Sequence, residues 1–283
     1  MTRPHCVVTG GSLGLGAAIT RGLLARGAEV LVACRDVARA EDLRPTLAPA
    51  DAQTRLRIER LDVSSLAEVR SFAETLTSRW PRLDVLVNNA GASFPLRRLS
   101  VDGHELTFAT NVLGGFALTR ALRPLLRNAE GEGRVVHVGS AAQYLRALRT
   151  ERLLDVRGLY QHELVYAHTK RAQFELSERW ADVLDEEGIT STCAHPGVVS
   201  TPGVADAFPR YAKVAGPWLP AVEEGADTAV WLATSREGAG RTGGLWWRRE
   251  RQPADVVPWT RTRASERERL WQTCERLTAE AAS

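Results

Sequence analysis

Tyr166 and Lys170 stand four residues apart in the run Tyr166-Ala167-His168-Thr169-Lys170, with Ser140 and Asn111 upstream as candidate partners. On a helix, positions i and i+4 share one face, so a phenol and an ammonium at this spacing can reach one site. A phenol is a weak acid near neutrality until a nearby cation favours its ionised form. The pair can therefore hand a proton to a carbonyl oxygen while another group delivers hydride. Of the 37 basic residues only Lys170 and Lys213 are lysine, which makes a lysine at this position more informative than in a lysine-rich chain.

A second chemistry-bearing run lies near the start, Thr9-Gly10-Gly11-Ser12-Leu13-Gly14-Leu15-Gly16. It follows an apolar strand-like stretch and opens an amphipathic helical one. Glycines there allow a tight turn and let backbone N–H groups approach a pyrophosphate at a helix N-terminus. The next apolar stretch ends at Cys34-Arg35-Asp36, the place where a doubly wound fold meets the adenosine ribose. Arg35, with Arg39 one turn later, favours a 2′-phosphate and hence NADP(H). Asp36 is the counterweight, since a carboxylate there suits the free ribose of NAD(H), the less favoured cofactor.

These groups must be positioned by alternating elements. Strand-like runs are expected at His5 to Thr9, Glu29 to Cys34, Arg55 to Leu61, Asp84 to Asn88, Arg134 to Gly139, Ile189 to His195 and Gly244 to Trp247. Helical stretches fall between them at 14–26, 36–48, 65–79, 102–128, 162–187 and 221–235. The alternation predicts an α/β fold, a Rossmann-like doubly wound parallel sheet of about seven strands with helices on both faces. Prolines 202, 209, 217 and 220 break the rhythm, so 202–220 reads as a substrate lid, with Phe208, Tyr211 and Trp218 bringing apolar area. A last helix over 264–281 is expected to start at a Ser265/Glu268 capping box and to present Leu270, Trp271, Cys274 and Leu277 as an apolar stripe.

At 283 residues and 44% apolar content, the chain suits one domain with a large core, spanning 1–283. The net charge of +3 is small, with no run of five like charges, so neither nucleic acid nor an anionic membrane is an implied partner. Cys6, Cys34, Cys193 and Cys274 are widely spaced and read as reduced core residues of a cytoplasmic protein. Cys193 and His195 lie two apart on one strand face, but no second pair accompanies them and no metal is expected. His168 reads as a surface or packing residue.

Taken together, the glycine turn, Asp62 and Val63, the Asn88-Asn89-Ala90-Gly91 motif, Asn111, Ser140, the Tyr166/Lys170 pair and Pro196-Gly197 with Thr201 resemble the short-chain dehydrogenase/reductase superfamily over nearly the whole chain. The Ala33-Cys34-Arg35-Asp36 ending is similar to its retinol-dehydrogenase-like branch. Within that branch, the runs Val165 to Trp180, His195 to Val204 and Gly225 to Leu232 are most similar to the group of dehydrogenase/reductase SDR family member twelve. The extended, sugar-modifying branch fits poorly, because its turn wants glycine where Leu13 stands.

The resemblance implies a set of roles. Gly10, Ser12, Leu13, Gly14, Leu15 and Gly16 would bind the pyrophosphate, and Asp62 and Val63 would flank the adenine. Asn89, Ala90 and Gly91 would line the adenosine side, while Pro196, Gly197, Val199 and Thr201 would serve the nicotinamide. Ser140 would hold the substrate carbonyl and Tyr166 would donate the proton. Lys170 would lower the phenol pKa and hold the nicotinamide ribose, with Asn111 fixing a water that relays protons to it. Gly139 replaces the first serine of the family's usual pair, and the gap from Ser140 to Tyr166 is longer than in the shortest members.

The expected activity is an NADP(H)-dependent oxidoreductase interconverting a ketone or aldehyde and an alcohol. Alternatives are an epimerase or dehydratase without net redox, and a non-catalytic NADP(H) sensor. The expected partner is a small carbonyl or alcohol substrate. A homodimer or homotetramer would form through the helices carrying Asn111 and Tyr166, unless the Trp-rich C-terminal segment caps that surface.

Overall fold

The computed structural model describes residues 3–197 and 220–280. Among them, eight strands form a single sheet: β1 (His5–Thr9), β2 (Glu29–Cys34), β3 (Leu56–Arg60), β4 (Val85–Asn88), β5 (Gly133–Val138), β6 (Ile189–Ala194), β7 (Leu245–Trp247) and β8 (Glu250–Gln252). Their order is β3-β2-β1-β4-β5-β6-β7-β8, parallel from β3 to β7, with β8 antiparallel at the edge. The order reverses between β1 and β4, the crevice in which a doubly wound sheet receives its ligands.

The helices are α1 (Gly14–Ala25), α2 (Val37–Asp42), α3 (Arg44–Leu47), α4 (Leu66–Arg79), α5 (106–127), α6 (Thr150–Leu154), α7 (His162–Asp185), α8 (Val222–Thr234) and α9 (Ala264–Glu280). Side chains alternate along each strand and so feed two cores. Val7, Leu31, Leu86 and Val135 face α4, α5, α7 and α9, while Val8, Val32, Val87 and Val136 face α1 and α8. A strand buried on both faces needs an unbroken apolar run, which is why β1, β2 and β4 are legible in the sequence.

Several elements differ from expectation, among them the short helix α6, which falls between the expected stretches. The stretch 36–48 is two helices, because Pro45 sits at the start of α3 and cannot continue α2. Residues 99–105 form a turn with a Leu99–Glu105 bridge, and Gly103 at φ +80 keeps them from joining α5. The eighth strand follows a two-residue turn, Arg248 and Arg249, at φ +51 and +62. That geometry is usually given to Asn-Gly, so two arginines conceal the hairpin.

Helix α9 begins at Ala264, one residue before the expected cap, so Ser265 lies inside its first turn. Its stripe is buried as expected. The Trp271 ring meets Phe116 of α5 at 5.1 Å and Trp180 of α7 at 4.7 Å, both edge-on. Arg267 pairs with buried Glu175 at 2.7 Å, and Arg120 donates to Thr278 at 3.3 Å. The helix thus lies across α5 and α7.

Candidate active site

The carboxyl ends of the parallel strands form one rim, and the glycine turn occupies its centre. Gly10 has φ +62 and donates its N–H to Ala33 O at 2.8 Å. A Cβ on Gly16 would collide with Gly10 O, so only glycine lets α1 begin this close to β1. Leu13, the N-cap of α1, gives no side-chain cap, and the first turn holds no acid. Its N–H groups are left for an anion, and the cradle fits a pyrophosphate. Ser12 hydrogen-bonds the Cys34 thiol beside it, and Leu15 packs against the α1/α8 core.

The turn is fastened from β4. Asn89 donates its amide to Thr9 O at 2.8 Å and Gly10 O at 3.2 Å, and the backbone N–H groups of Asn89 and Ala90 both reach Thr9 Oγ1 at 3.0 Å. Gly91 follows, within 3.4 Å of Lys170 Nζ when a Cβ is built on it, so the motif runs from the phosphate turn to the lysine.

At the adenosine end, Arg35 and Arg39 are exposed after β2. Asp36 is engaged otherwise: its carboxylate accepts from Arg39 N at 3.0 Å and caps α2. Asp62 accepts from both the N–H and the hydroxyl of Ser64, at 2.9 and 2.7 Å, and Val63 is buried where Gly114 of α5 packs onto its carbonyl. At the opposite end Gly197, at φ +73, donates its N–H to His195 Nδ1 at 3.1 Å, directly after Pro196. His195 stacks on Trp247, centroids 5.5 Å apart, and burial holds its pKa near 4. Val199, Thr201 and the lid 202–220 lie outside the described residues except for Pro220.

Between these ends lie the four expected catalytic residues. Ser140 caps the short turn Ala141–Leu145 after β5, accepting from Ala142 N at 3.2 Å, and it also hydrogen-bonds the Tyr166 phenol. Tyr166 projects from the first turns of α7. Burial raises its pKa, with Ser140 pulling the other way. Lys170, one turn on, is 4% exposed, and desolvation lowers its pKa to about 8.

The Lys170 ammonium is held from two sides. It lies 5.7 Å from the Tyr166 ring centre and donates to Val138 O and Gln173 Oε1, both at 2.9 Å. Asn111 sits in a π-helical turn, Ala109–Leu113, and its amide brackets Ala92, accepting from the N–H at 2.8 Å and donating to the carbonyl at 3.0 Å, while also donating to Thr169 Oγ1 at 3.0 Å. Its side chain ties the loop after β4 to α7.

Several contributing residues carry no motif. Gln173 is three residues beyond Lys170, a spacing that places it on the same helix face and could have revealed it. His137 on β5 is buried nearby and held neutral, near pKa 4, by burial and the Lys170 charge. Arg171, 1% exposed, contacts Glu175 at 2.8 Å and Asp255 at 2.6 Å and reaches Gln143 Oε1 at 3.2 Å, fastening the turn after Ser140 to α7 and the 253–255 stretch. Cys193, beneath the lysine, has its pKa pushed up to about 12 by burial. Among the described residues, no three His, Cys, Asp or Glu side chains converge as a metal set.

Comparison with known proteins gives the family. A family model described as short chain dehydrogenase matches residues 4–151. "Dehydrogenase/reductase SDR family member 12" of Bos taurus is 35% identical over 96% of the chain and 85% of its own length. "Retinol dehydrogenase 12" of Bos taurus is 31% identical over the same shares. The solved "Pseudomonas aeruginosa RhlG/NADP active-site complex" superimposes with a TM-score of 0.69 at 28% identity, covering 91% of this chain and 96% of that one.

Proposed function

Because this chain belongs to the short-chain dehydrogenase/reductase family, we propose that it is an NADP(H)-dependent oxidoreductase that interconverts a ketone or aldehyde and an alcohol. The observation that carries the reading is the hydrogen-bonded Ser140–Tyr166 pair with the buried Lys170 one turn further along α7. Support for the cofactor's identity comes from Arg35 and Arg39, exposed at the end of β2, with Asp36 committed to the α2 cap, and from the Pseudomonas aeruginosa relative, which was solved as an NADP complex.

The nicotinamide, when bound, supplies or accepts the hydride. In the reducing direction the Ser140 hydroxyl holds the substrate oxygen and the Tyr166 phenol gives its proton to that oxygen as the C=O π pair becomes a lone pair. The products are the alcohol and a phenolate, which is reprotonated from solvent. A raised phenol pKa keeps Tyr166 protonated at rest, the form that reduction requires. Lys170, charged below about pH 8, stabilises the phenolate left behind.

The test is NADPH and NADH oxidation by the purified protein across a panel of ketones and aldehydes. Stoichiometric NADPH consumption with alcohol formation is expected. An isomerised or dehydrated product without net cofactor oxidation would reject the reading.

A further inference from the structure

Outside the glycine turn, every large apolar side chain that is strongly exposed among the described residues belongs to one of three stretches, 96–101, 145–159 and 256–259. Leu159 is 98% exposed, Trp259 78%, Leu96 76% and Leu145 68%. The stretches adjoin one another. Arg97 donates to Val156 O at 3.0 Å and Tyr160 to Phe94 O at 2.8 Å, joining the first to the second. Tyr144 donates to Pro253 O at 2.8 Å, which brings the third alongside. They flank the reacting groups: Leu145 ends the turn that Ser140 caps, and Leu159 lies just before α7.

Arginines interleave with these tips. Arg98, Arg146, Arg149, Arg152, Arg157 and Arg261 are exposed, and none forms an ion pair among the described residues. Of the neighbouring acids, Glu151 is exposed between Arg149 and Arg152 in sequence, and two others are engaged. Asp155 accepts from the N–H groups of Arg157 and Gly158, and Asp255 is bound by Arg171. The charge is felt locally, since Arg146, Arg149 and Arg152 reinforce burial in lowering the His168 pKa to about 4. A balanced whole-chain charge conceals this patch.

We propose that this face docks on an anionic lipid surface, with the apolar tips entering the headgroup boundary and the arginines meeting lipid phosphates. Exposed leucine and tryptophan alternating with unpaired cations is the pattern of a surface that lies on a membrane. No helix of the described residues is long and apolar enough to cross one. A nucleic acid would use the arginines but not a leucine 98% exposed. A second copy of the chain would bring like charge against like charge in a symmetric contact.

Flotation tests the proposal without a catalytic readout, so it stands or falls apart from the oxidoreductase reading. The full chain is mixed with vesicles of phosphatidylcholine alone or of equal phosphatidylcholine and phosphatidylglycerol, at low and high salt. It should float with the anionic vesicles, not the neutral ones, and be released by salt. The triple variant Arg146→Gln, Arg149→Gln, Arg152→Gln should bind about a hundredfold more weakly, about fivefold for each charge. Leu159→Asp should lose about tenfold or more. Both should keep the wild-type thermal melt. The proposal is overturned by failure to float with anionic vesicles, by equal binding to both kinds, or by binding that neither variant changes. It is also overturned if polyglutamate binds as tightly and Leu159→Asp leaves that binding intact, or if Leu159→Asp abolishes only self-association in sedimentation velocity.

Discussion

The Lys170 ammonium lies 2.9 Å from the amide oxygen of Gln173, three residues along the same helix, and 5.7 Å from the centre of the Tyr166 ring. Gln173 is therefore a positioning residue for the lysine, whose pKa is lowered by burial. With the Lys170 pKa lowered to about 8, the ammonium is present below that pH and lost above it. In carbonyl reduction kcat/KM should fall on the alkaline side of about 8. Gln173→Glu places a carboxylate against Nζ and should move that limb up by about one pH unit or more. Gln173→Leu should move it down. A limb that stays put in both variants would show that Lys170 does not set it.

Tyr166→Phe deletes the proton donor and keeps the ring. Turnover should fall by about two orders of magnitude or more, with dinucleotide affinity little changed. Steady-state rates beside a fluorescence titration of NADPH check both halves, and near wild-type turnover would remove Tyr166 from the role.

Arg35→Ala should weaken NADPH binding by about 1.5–3 kcal/mol and leave NADH almost unchanged, the scale of a charge-assisted hydrogen bond. Asp36→Ala should act differently. Its carboxylate caps α2, so the expected loss is about 1 kcal/mol of folding stability without a change in cofactor preference. Parallel titrations of the two dinucleotides on both variants separate these effects.

Arg171→Leu removes a guanidinium that is 1% exposed and leaves Glu175, fully buried, with Arg267 as its remaining cation. Breaking one side of a buried pair should cost about 3 kcal/mol, measured by urea denaturation. Replacing Arg267, which is half-exposed, should cost less.

Legibility follows the physics of each element. β1 and β2 are bounded in the sequence where the structure bounds them, because strands buried on both faces must be apolar throughout. The glycine turn is equally plain, since its close approaches admit no other residue. The hairpin to β8 is hidden by Arg248 and Arg249, which take a backbone geometry that their type does not advertise. Catalytic residue types are readable from spacing, but the direction in which the Lys170 side chain points is not, because it depends on Val138 of β5 and Gln173 together. The exposed arginines are concealed for another reason. Net charge sums over the surface, whereas a docking face depends on where the charges sit.

The last helix occupies the outer faces of α5 and α7 through Trp271, so the chain carries its own occupant for that groove. A tethered segment competes at an effective concentration in the millimolar range, far above that of any second molecule. A partner copy approaching those two helices must first displace α9. Pairing there becomes an exchange of one contact for another, whose threshold is set inside the monomer.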